Sequence, residues 1–428
     1  MIDINLIVEN PEYVTKALGK KNCHVELNEV ISWVEKRRQL IGESENLKAE
    51  KNVLIKELQQ RKQNNEDITD ILERLSALKD SIGNYDPQIK DLTSSINDFI
   101  IQLPNLPDDD VVGGGKENNQ ILRTHGNKPL FDYEYKDHMY LAKSLGLVDY
   151  QRGVKMGGSG FWVYKNRGAI LEWALLNYFI GEHIKDGYTF LLPPHILNQD
   201  SGYAAGQFPK FSNDVFTLNQ PNKEQDKFLL PTAETALVNY HRDEILKEEN
   251  LPLKYFAYTP CYRKEAGSYR AEEKGMIRGH QFNKVEMFQY TKPEGSAEAL
   301  NELLGKAEKL VQDLKLHYQL VQLAAEDCSA AMRKTFDVEV WIPSMEGYKE
   351  VTSASNAGDY QARRGNIKFK KTGQKAAHVH TLNASGLATS RIMPALLEQH
   401  QNADGSVTIP EVLHKLTGFE KLEPIENS

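Results

Sequence analysis

Three cysteines in 428 residues, Cys23, Cys261 and Cys328, lie far apart and in no CxxC spacing. That scarcity excludes a disulfide-built fold and a cysteine zinc site, and it fits a reducing compartment. No apolar run reaches the ~20 residues that span a bilayer. The start, MIDINLIVENPEYV, carries Asp3, Glu9 and Glu12 where a signal peptide would be positive. A cytoplasmic chain without membrane segments is expected. Excess positive charge is also missing: the net charge is -8, so contact with nucleic acid must rest on a local patch. GxxxxGK[ST] and GxGxxG are both absent, which leaves no P-loop or Rossmann turn for a nucleotide.

What the sequence does contain is ordinary globular composition, 40% hydrophobic and 26% charged. The length, about three typical domains, points to two or three folding units. The strongest periodicity is Ile68, Ile71, Leu75, Leu78, Ile82, Tyr85, Ile89, Leu92, Ile96 and Phe99, apolar residues at alternating spacings of three and four. Such a seam is a heptad. A second seam, with Trp33, Leu40, Leu47 and Leu54 seven apart, precedes it across the polar run Lys62 to Asp67. Together they predict an antiparallel helical hairpin over about 28–100, roughly 50 Å long at 1.5 Å per residue, with a break or bend at Gly83 and Pro87.

The seam stops at LPNLPDDDVVGGG, whose prolines, aspartates and glycines mark a linker. The expected division is 1–103 as an N-terminal domain, 104–115 as the linker and 116–428 as a second domain. That second domain shows an amphipathic helix from about Gly168 to Lys185. It also has irregularly spaced β-rich runs such as TFLLP, KYFAYTPCYRK, HQFNKVEMFQYT and DVEVWIP. Without βαβ alternation, an α+β domain with a mainly antiparallel sheet is expected.

Three segments carry groups suited to phosphate chemistry. In YRKE, strand alternation puts Arg263 and Glu265 on one face, a guanidinium for a phosphate beside a carboxylate for an amino group; alone, the pair reads first as a cross-strand ion pair. In HQFNKVE the same alternation sets Phe282, Lys284 and Glu286 together, an aromatic plate and a carboxylate in reach of one pocket, or a half-buried strand. NASGLATSR reads as a strand end, a turn at Gly386 and a helix whose first turn holds Arg391, where N–H groups and a cation could face an anion, or as a plain glycine turn with a surface arginine.

Taken in order, GYTFLLPP (Gly187 to Pro194), CYRKEAGS with RGHQFNKVEMF, and LNASGLATSR resemble the three signature motifs of class II aminoacyl-tRNA synthetases. With PTAET (Pro231 to Thr235), YKEVTSASN and DYQARR (Tyr348 to Arg364) and the hairpin, the resemblance is to the bacterial seryl-tRNA synthetases and covers nearly the whole chain. It implies a class II antiparallel sheet flanked by helices, a homodimer formed through the first motif, and an N-terminal coiled-coil arm for tRNA(Ser). It implies a serine--tRNA ligase that makes seryl-adenylate from L-serine and ATP with Mg2+, with tRNA(Sec) open as a second acceptor.

Residue by residue, the resemblance assigns catalysis to Arg263 and Arg391. ATP falls to Arg263, Lys264, Glu265, Arg278, Phe282, Glu350, Val351, Thr352, Ser353 and Arg391, with Phe282 stacked on adenine, Glu265 on its amino group and Arg278 and Arg391 at the γ-phosphate. Serine falls to Thr232, Ala233, Glu234, Glu286 and Ser385, and the metal to Glu350 and Ser353. Arg37, Arg38, Lys48, Lys51 and Lys56 of the arm are expected to meet tRNA phosphates. Carboxylate attack on phosphorus needs charge neutralisation and alignment more than a base, which suits these residue types.

Some positions depart from the family pattern: NASGLATSR in place of Asn-Gly-Ser-Gly-Leu-Ala-Val-Gly-Arg, SYRAEEKG in the second motif's loop, Ala204 and Ala205 before Gly206, and Gly160 where arginine is common. They keep open a divergent paralogue, an inhibitor-resistant isoform or a carrier-protein ligase, and a non-catalytic interaction protein.

Overall fold

The computed structural model describes residues 1–222, 226–265 and 275–425. The loop SYRAEEKG lies outside these apart from Gly275. The chain divides into two compact units: Ile2–Gly19 with Cys23–Leu103, and Met1, Lys20–Asn22 and Pro104–Ser428.

The smaller unit is built on two long helices, α1 (Asn28–Gln63) and α2 (Thr69–Ile100). Leu54, Ile71 and Leu78 are buried between them with Leu47, Leu58 and Leu75 against them, while the rings of Trp33 and Phe99 meet edge to face at 6.4 Å. The reversal falls on Asn65, which takes the left-handed backbone that Asn tolerates, and Asp67, just before the second helix, accepts from the Thr69 N–H at 3.0 Å. Gly83 and Pro87 do not interrupt α2, contrary to the expected break. Proline removes one N–H, and here both residues are exposed, so water can satisfy the orphaned carbonyl while the rest of the ladder continues.

The larger unit is organised by an eight-stranded sheet: β1 (Gln120–His125), β2 (Thr189–Leu191), β3 (Leu253–Tyr262), β4 (Gln281–Thr291), β5 (Tyr318–Gln322), β6 (Lys334–Ile342), β7 (Gly347–Gly358) and β8 (His380–Ala388). Their order is β1-β5-β6-β7-β8-β4-β3-β2, and every neighbouring pair is antiparallel except β2 with β3. Helices α3 (Asn166–Lys185), α4 (Ser296–Asp313) and α5 (Thr389–Gln399) flank it, contributing Leu175, Phe179, Leu303 and Leu396 to one continuous core with Val285, Met287 and Ala384 of the sheet. The runs TFLLP, KYFAYTPCYRK, HQFNKVEMFQYT and DVEVWIP all supply strands of this sheet.

The stretch 104–115 has neither helix nor long strand, yet it is pinned to the larger unit. Asn105 donates to the carbonyls of Ala331 (2.8 Å) and Ala357 (2.7 Å), and Asp108 pairs with Arg333. None of the described helices is long and apolar enough to cross a membrane.

Candidate active site

The middle of the sheet, where β3, β4, β7 and β8 lie side by side, carries the groups singled out in the sequence. On β4, regular pairing with β3 sets Phe282 opposite Cys261, Lys284 opposite Thr259 and Glu286 opposite Ala257. These three alternate residues share a face, as the strand period requires. Against β8, Lys284 pairs with Ala388 but Glu286 with Ser385, so β8 carries one extra residue there. The bulge leaves Leu387 at φ 77°.

Two local expectations fail at this point. Arg263 and Glu265 are not on a strand face, because β3 ends at Tyr262 and Glu265 takes a left-handed backbone (φ 51°). The turn, not strand alternation, brings both side chains to the same cavity. Gly386 is likewise not a turn: β8 runs through it to Ala388. Its lack of a side chain answers a packing demand, since a Cβ there would lie 2.4 Å from Nε2 of the buried His183. Arg391 does sit in the first turn of α5.

A cavity of about 560 Å³ opens over this face, lined among others by Thr232, Glu234, Arg263, Glu265, Arg278, Glu350, Ser353 and Ser385. A small adjoining pocket of about 40 Å³ adds Phe282, Val351 and Arg391 to walls shared with Arg263, Lys284 and Glu350. Ala233, Thr352 and Glu286 are buried behind these walls. The Thr352 hydroxyl donates to the carbonyl of Ser385, tying β7 to β8. Lys264 is exposed; its backbone N–H donates to the Asp214 carbonyl at 2.9 Å.

One end of the cavity is a dense polar knot. Thr232 caps the short helix Ala233–Leu237 and donates to Glu286 at 3.1 Å; Asn383 donates to the other Glu286 oxygen at 3.1 Å. The Lys284 ammonium donates to Thr232 Oγ1 at 2.8 Å and pairs with Glu286. Glu234 accepts from Gln361 at 2.7 Å; burial, and then the charge of Glu286, push its carboxyl up to about 7. Such a knot suits a small molecule bearing an ammonium and a hydroxyl.

The other end is cationic and aromatic. The Arg263 guanidinium lies over the Phe282 ring at 5.2 Å and donates to the Pro231 carbonyl at 3.2 Å. Arg278 pairs with Glu265. Arg391 donates to the backbone carbonyl of Glu350 at 2.8 Å and pairs with its carboxylate at 3.1 Å. Burial acts to raise the Glu350 carboxyl, but Arg391 and then Arg263 outweigh it and hold the group below its usual value. Ser353 donates to Asp337 at 2.6 Å.

Glu350 and Ser353 offer hard oxygen donors next to a phosphate-sized cationic end. Among the described residues no cluster of three or more His, Cys, Asp or Glu could hold a metal. Two protein oxygens alone suit Mg2+, which keeps waters and takes its remaining ligands from substrate phosphates.

The arm residues belong to the smaller unit. Lys48 and Lys56 are exposed, Lys51 is half-buried, Arg38 donates to the Asn5 side chain at 2.8 Å and Arg37 is half-buried. The sequence reading did not assign Lys284, Asn383, Gln361, Asp337 or Glu172 to the site. For Lys284 the signal was present in the strand alternation and for Asn383 in the segment NASGLATSR; Gln361 and Glu172 lie on helices that reach the site only through contacts with residues far away in the sequence.

The chain is similar to known proteins along its whole length. A family model described as the tRNA synthetase class II core domain (G, H, P, S and T) matches residues 216–400, and one described as the seryl-tRNA synthetase N-terminal domain matches residues 1–107. A serine--tRNA ligase 2 of Clostridium acetobutylicum is 57% identical, covering 99% of this chain and 100% of its own. A serine--tRNA ligase of Nitratidesulfovibrio vulgaris is 41% identical over 98% of both. Among solved structures, a seryl-tRNA synthetase from Pyrococcus horikoshii complexed with ATP superposes with a TM-score of 0.92 at 34% identity, covering 100% of both chains. A cytoplasmic serine-tRNA ligase from Naegleria fowleri in complex with AMP reaches 0.88 at 28% identity, covering 100% of this chain and 99% of that one.

Proposed function

The chain belongs to the seryl-tRNA synthetases, ATP-dependent serine--tRNA ligases with the class II core, and on that premise we propose that β4 lays out its two small substrates in order along one face. The observation that carries this reading is the spacing Phe282, Lys284, Glu286, which runs from the aromatic, cationic end of the cavity to the polar knot.

In this reading adenine stacks on Phe282 with its amino group on Glu265. Arg263 meets the α-phosphate, and Arg278 and Arg391 the γ-phosphate. Lys264, Val351 and Thr352 act through the backbone and strand placement around the nucleotide. Serine lies against Thr232, Ala233, Glu234, Glu286 and Ser385. Glu350 and Ser353 would hold Mg2+, which supplies charge neutralisation at the phosphates when bound. The serine carboxylate attacks the α-phosphorus, the new O–P bond forms as pyrophosphate leaves, and the adenylate then passes its acyl group to tRNA(Ser). The Arg278 pair with Glu265 and the Arg391 pair with Glu350 keep these cations in place before phosphates compete for them.

Further parts of the reading rest on surface features. Ile170, Trp173 and Ile184 of α3 are 46%, 53% and 54% exposed, an apolar stripe that supports a homodimer formed through the first-motif region. The charged face of α1, with Lys48, Lys51 and Lys56, supports tRNA binding by the arm, together with Arg37 and Arg38. Protein synthesis places the enzyme in the cytoplasm, and tRNA(Sec) stands as an additional acceptor to be assayed.

Serine-dependent ATP–pyrophosphate exchange without tRNA tests the reading. Exchange with serine and at most a small fraction of it with alanine is expected, because alanine leaves the polar knot unpaired. No exchange with serine, or equal exchange with alanine, contradicts the placement.

A further inference from the structure

Lys284 has no place among the roles assigned above, yet its side chain is 7% exposed and lies at the centre of the site. A lysine is rarely buried unless its charge is matched. Its ammonium touches Thr232 and Glu286, two of the groups that the proposed placement gives to serine, and its side chain also lines the pocket shared with Phe282 and Arg263. On the strand it stands one alternation, roughly 6.8 Å, from Phe282 and the same from Glu286. It therefore sits midway between the adenine plate and the serine carboxylate partner, where amino acid and nucleotide must join.

The balance of charge at that point is restrictive. Zwitterionic serine brings an ammonium to the carboxylates Glu286 and Glu234, and at Glu286 that ammonium meets the one Lys284 already contributes. Two cations on one buried carboxylate repel at close range. The conflict is resolved if the Lys284 ammonium turns along the strand toward the serine carboxylate and the α-phosphate, whose negative charges meet there.

We infer that Lys284 is a catalytic residue of adenylation: it exchanges its bond to Glu286 for one to the reacting oxygens between serine and ATP, and with Arg263 neutralises the charge at the phosphorus. The inference rests on the substrate placement proposed above. In the step, an oxygen of the serine carboxylate forms the bond to the α-phosphorus, and the bond to pyrophosphate breaks with its electron pair on the leaving group. Lys284 stays protonated throughout, so no proton needs to be passed. Lys284 lines the cavity of about 560 Å³, which gives its side chain room to swing. The same exchange couples recognition to chemistry: only an amino acid whose ammonium takes over Glu286 releases the lysine to the junction.

Two measurements on the full-length enzyme decide it. The first is serine-dependent ATP–pyrophosphate exchange for the wild type and Lys284→Gln, which keeps a hydrogen-bond donor without the charge, with ATP binding followed by calorimetry. A fall of about 100-fold in kcat with ATP affinity unchanged is expected, the usual scale for losing one stabilising group. A variant within about threefold of wild-type kcat, in a folded protein, overturns the assignment. The second, independent of how the variant folds, is a crystal structure of the wild type with seryl-sulfamoyl adenosine. Lys284 Nζ within hydrogen-bond distance of the sulfamoyl or acyl oxygens supports the inference, and Nζ still on Thr232 and Glu286 and away from the analogue overturns it. Failure of the underlying placement has a different signature: wild-type enzyme without serine-dependent exchange, or an adenine ring bound away from Phe282.

Discussion

Glu172, buried on α3, accepts a hydrogen bond from the hydroxyl of Thr389, the first residue of the helix that carries Arg391, at 2.5 Å. The same carboxylate oxygen accepts from the Asn283 side chain at 2.8 Å, between Phe282 and Lys284. One carboxyl thus braces β4 and α5 against the helix with the exposed apolar stripe.

Burial pushes the Glu172 carboxyl up to about 7, against the opposing pull of its hydrogen bonds. In the unfolded chain the group ionises near its ordinary value, so between about 4.5 and 7 the folded state holds a proton that the unfolded state has lost. Stability contributed here falls as pH rises through that window, by up to about 1.4 kcal/mol per unit, and is level above it. Glu172→Gln removes the titration. Urea unfolding midpoints at pH 5 and pH 8 should show the variant gaining on the wild type as pH rises; a constant difference would refute the shift.

Gly386→Ala should cost about 1–3 kcal/mol, because the new methyl meets the His183 ring, which is wholly buried and has no room to retreat. Ser385 and Glu286 are paired next to it, so the KM for serine should rise as well. Gly181→Ala, where an added Cβ meets nothing within 4 Å, serves as the control and should be neutral or slightly stabilising. Equal unfolding midpoints for the two variants would dismiss the packing argument.

Arg263→Ala should lower serine-dependent exchange ~10²–10³-fold, since the proposed placement sets its guanidinium at the phosphorus where charge builds. The protein should stay folded, because Arg263 lines a cavity and its side chain's contacts with described residues are a hydrogen bond to the Pro231 carbonyl, a stack on Phe282 and the charges of Glu350 and Glu234. Near wild-type exchange would remove Arg263 from the reaction.

The arm prediction is one of separation. Lys48, Lys51 and Lys56 changed together to Glu should raise the KM for tRNA and flatten the salt dependence of charging, by ~0.9 in logarithmic slope for each phosphate no longer neutralised. Pyrophosphate exchange should be untouched. Loss of exchange along with charging would show that the lysines act through the fold instead.

The hairpin was legible in the sequence because heptad spacing is a local signal, and Leu47, Leu54, Leu75 and Leu78 do pack between α1 and α2. The strand of Phe282, Lys284 and Glu286 was legible for the same reason, a period of two. What misled were positions where local rules meet tertiary demands. Pro87 read as a breaker, although an exposed proline leaves its orphaned carbonyl to water. Gly386 read as a turn, although it is small to admit His183. Arg263 and Glu265 read as strand neighbours, although a left-handed residue after the strand's end brings them together. The hydrogen bonds of Glu172 with Thr389, 217 residues apart, and of Gln361 with Glu234, 127 apart, have no local signature.

The division of substrates along β4 is tested most directly by steady-state exchange with Phe282→Ala and Glu286→Gln, varying serine and ATP separately. Phe282→Ala should raise the KM for ATP by about tenfold, the scale of ~1–2 kcal/mol for removing a stack, with the KM for serine unchanged. Glu286→Gln should do the reverse, raising the KM for serine with that for ATP unchanged. If either variant raises both constants alike, or if the two effects are interchanged, the strand does not order the substrates in the way described.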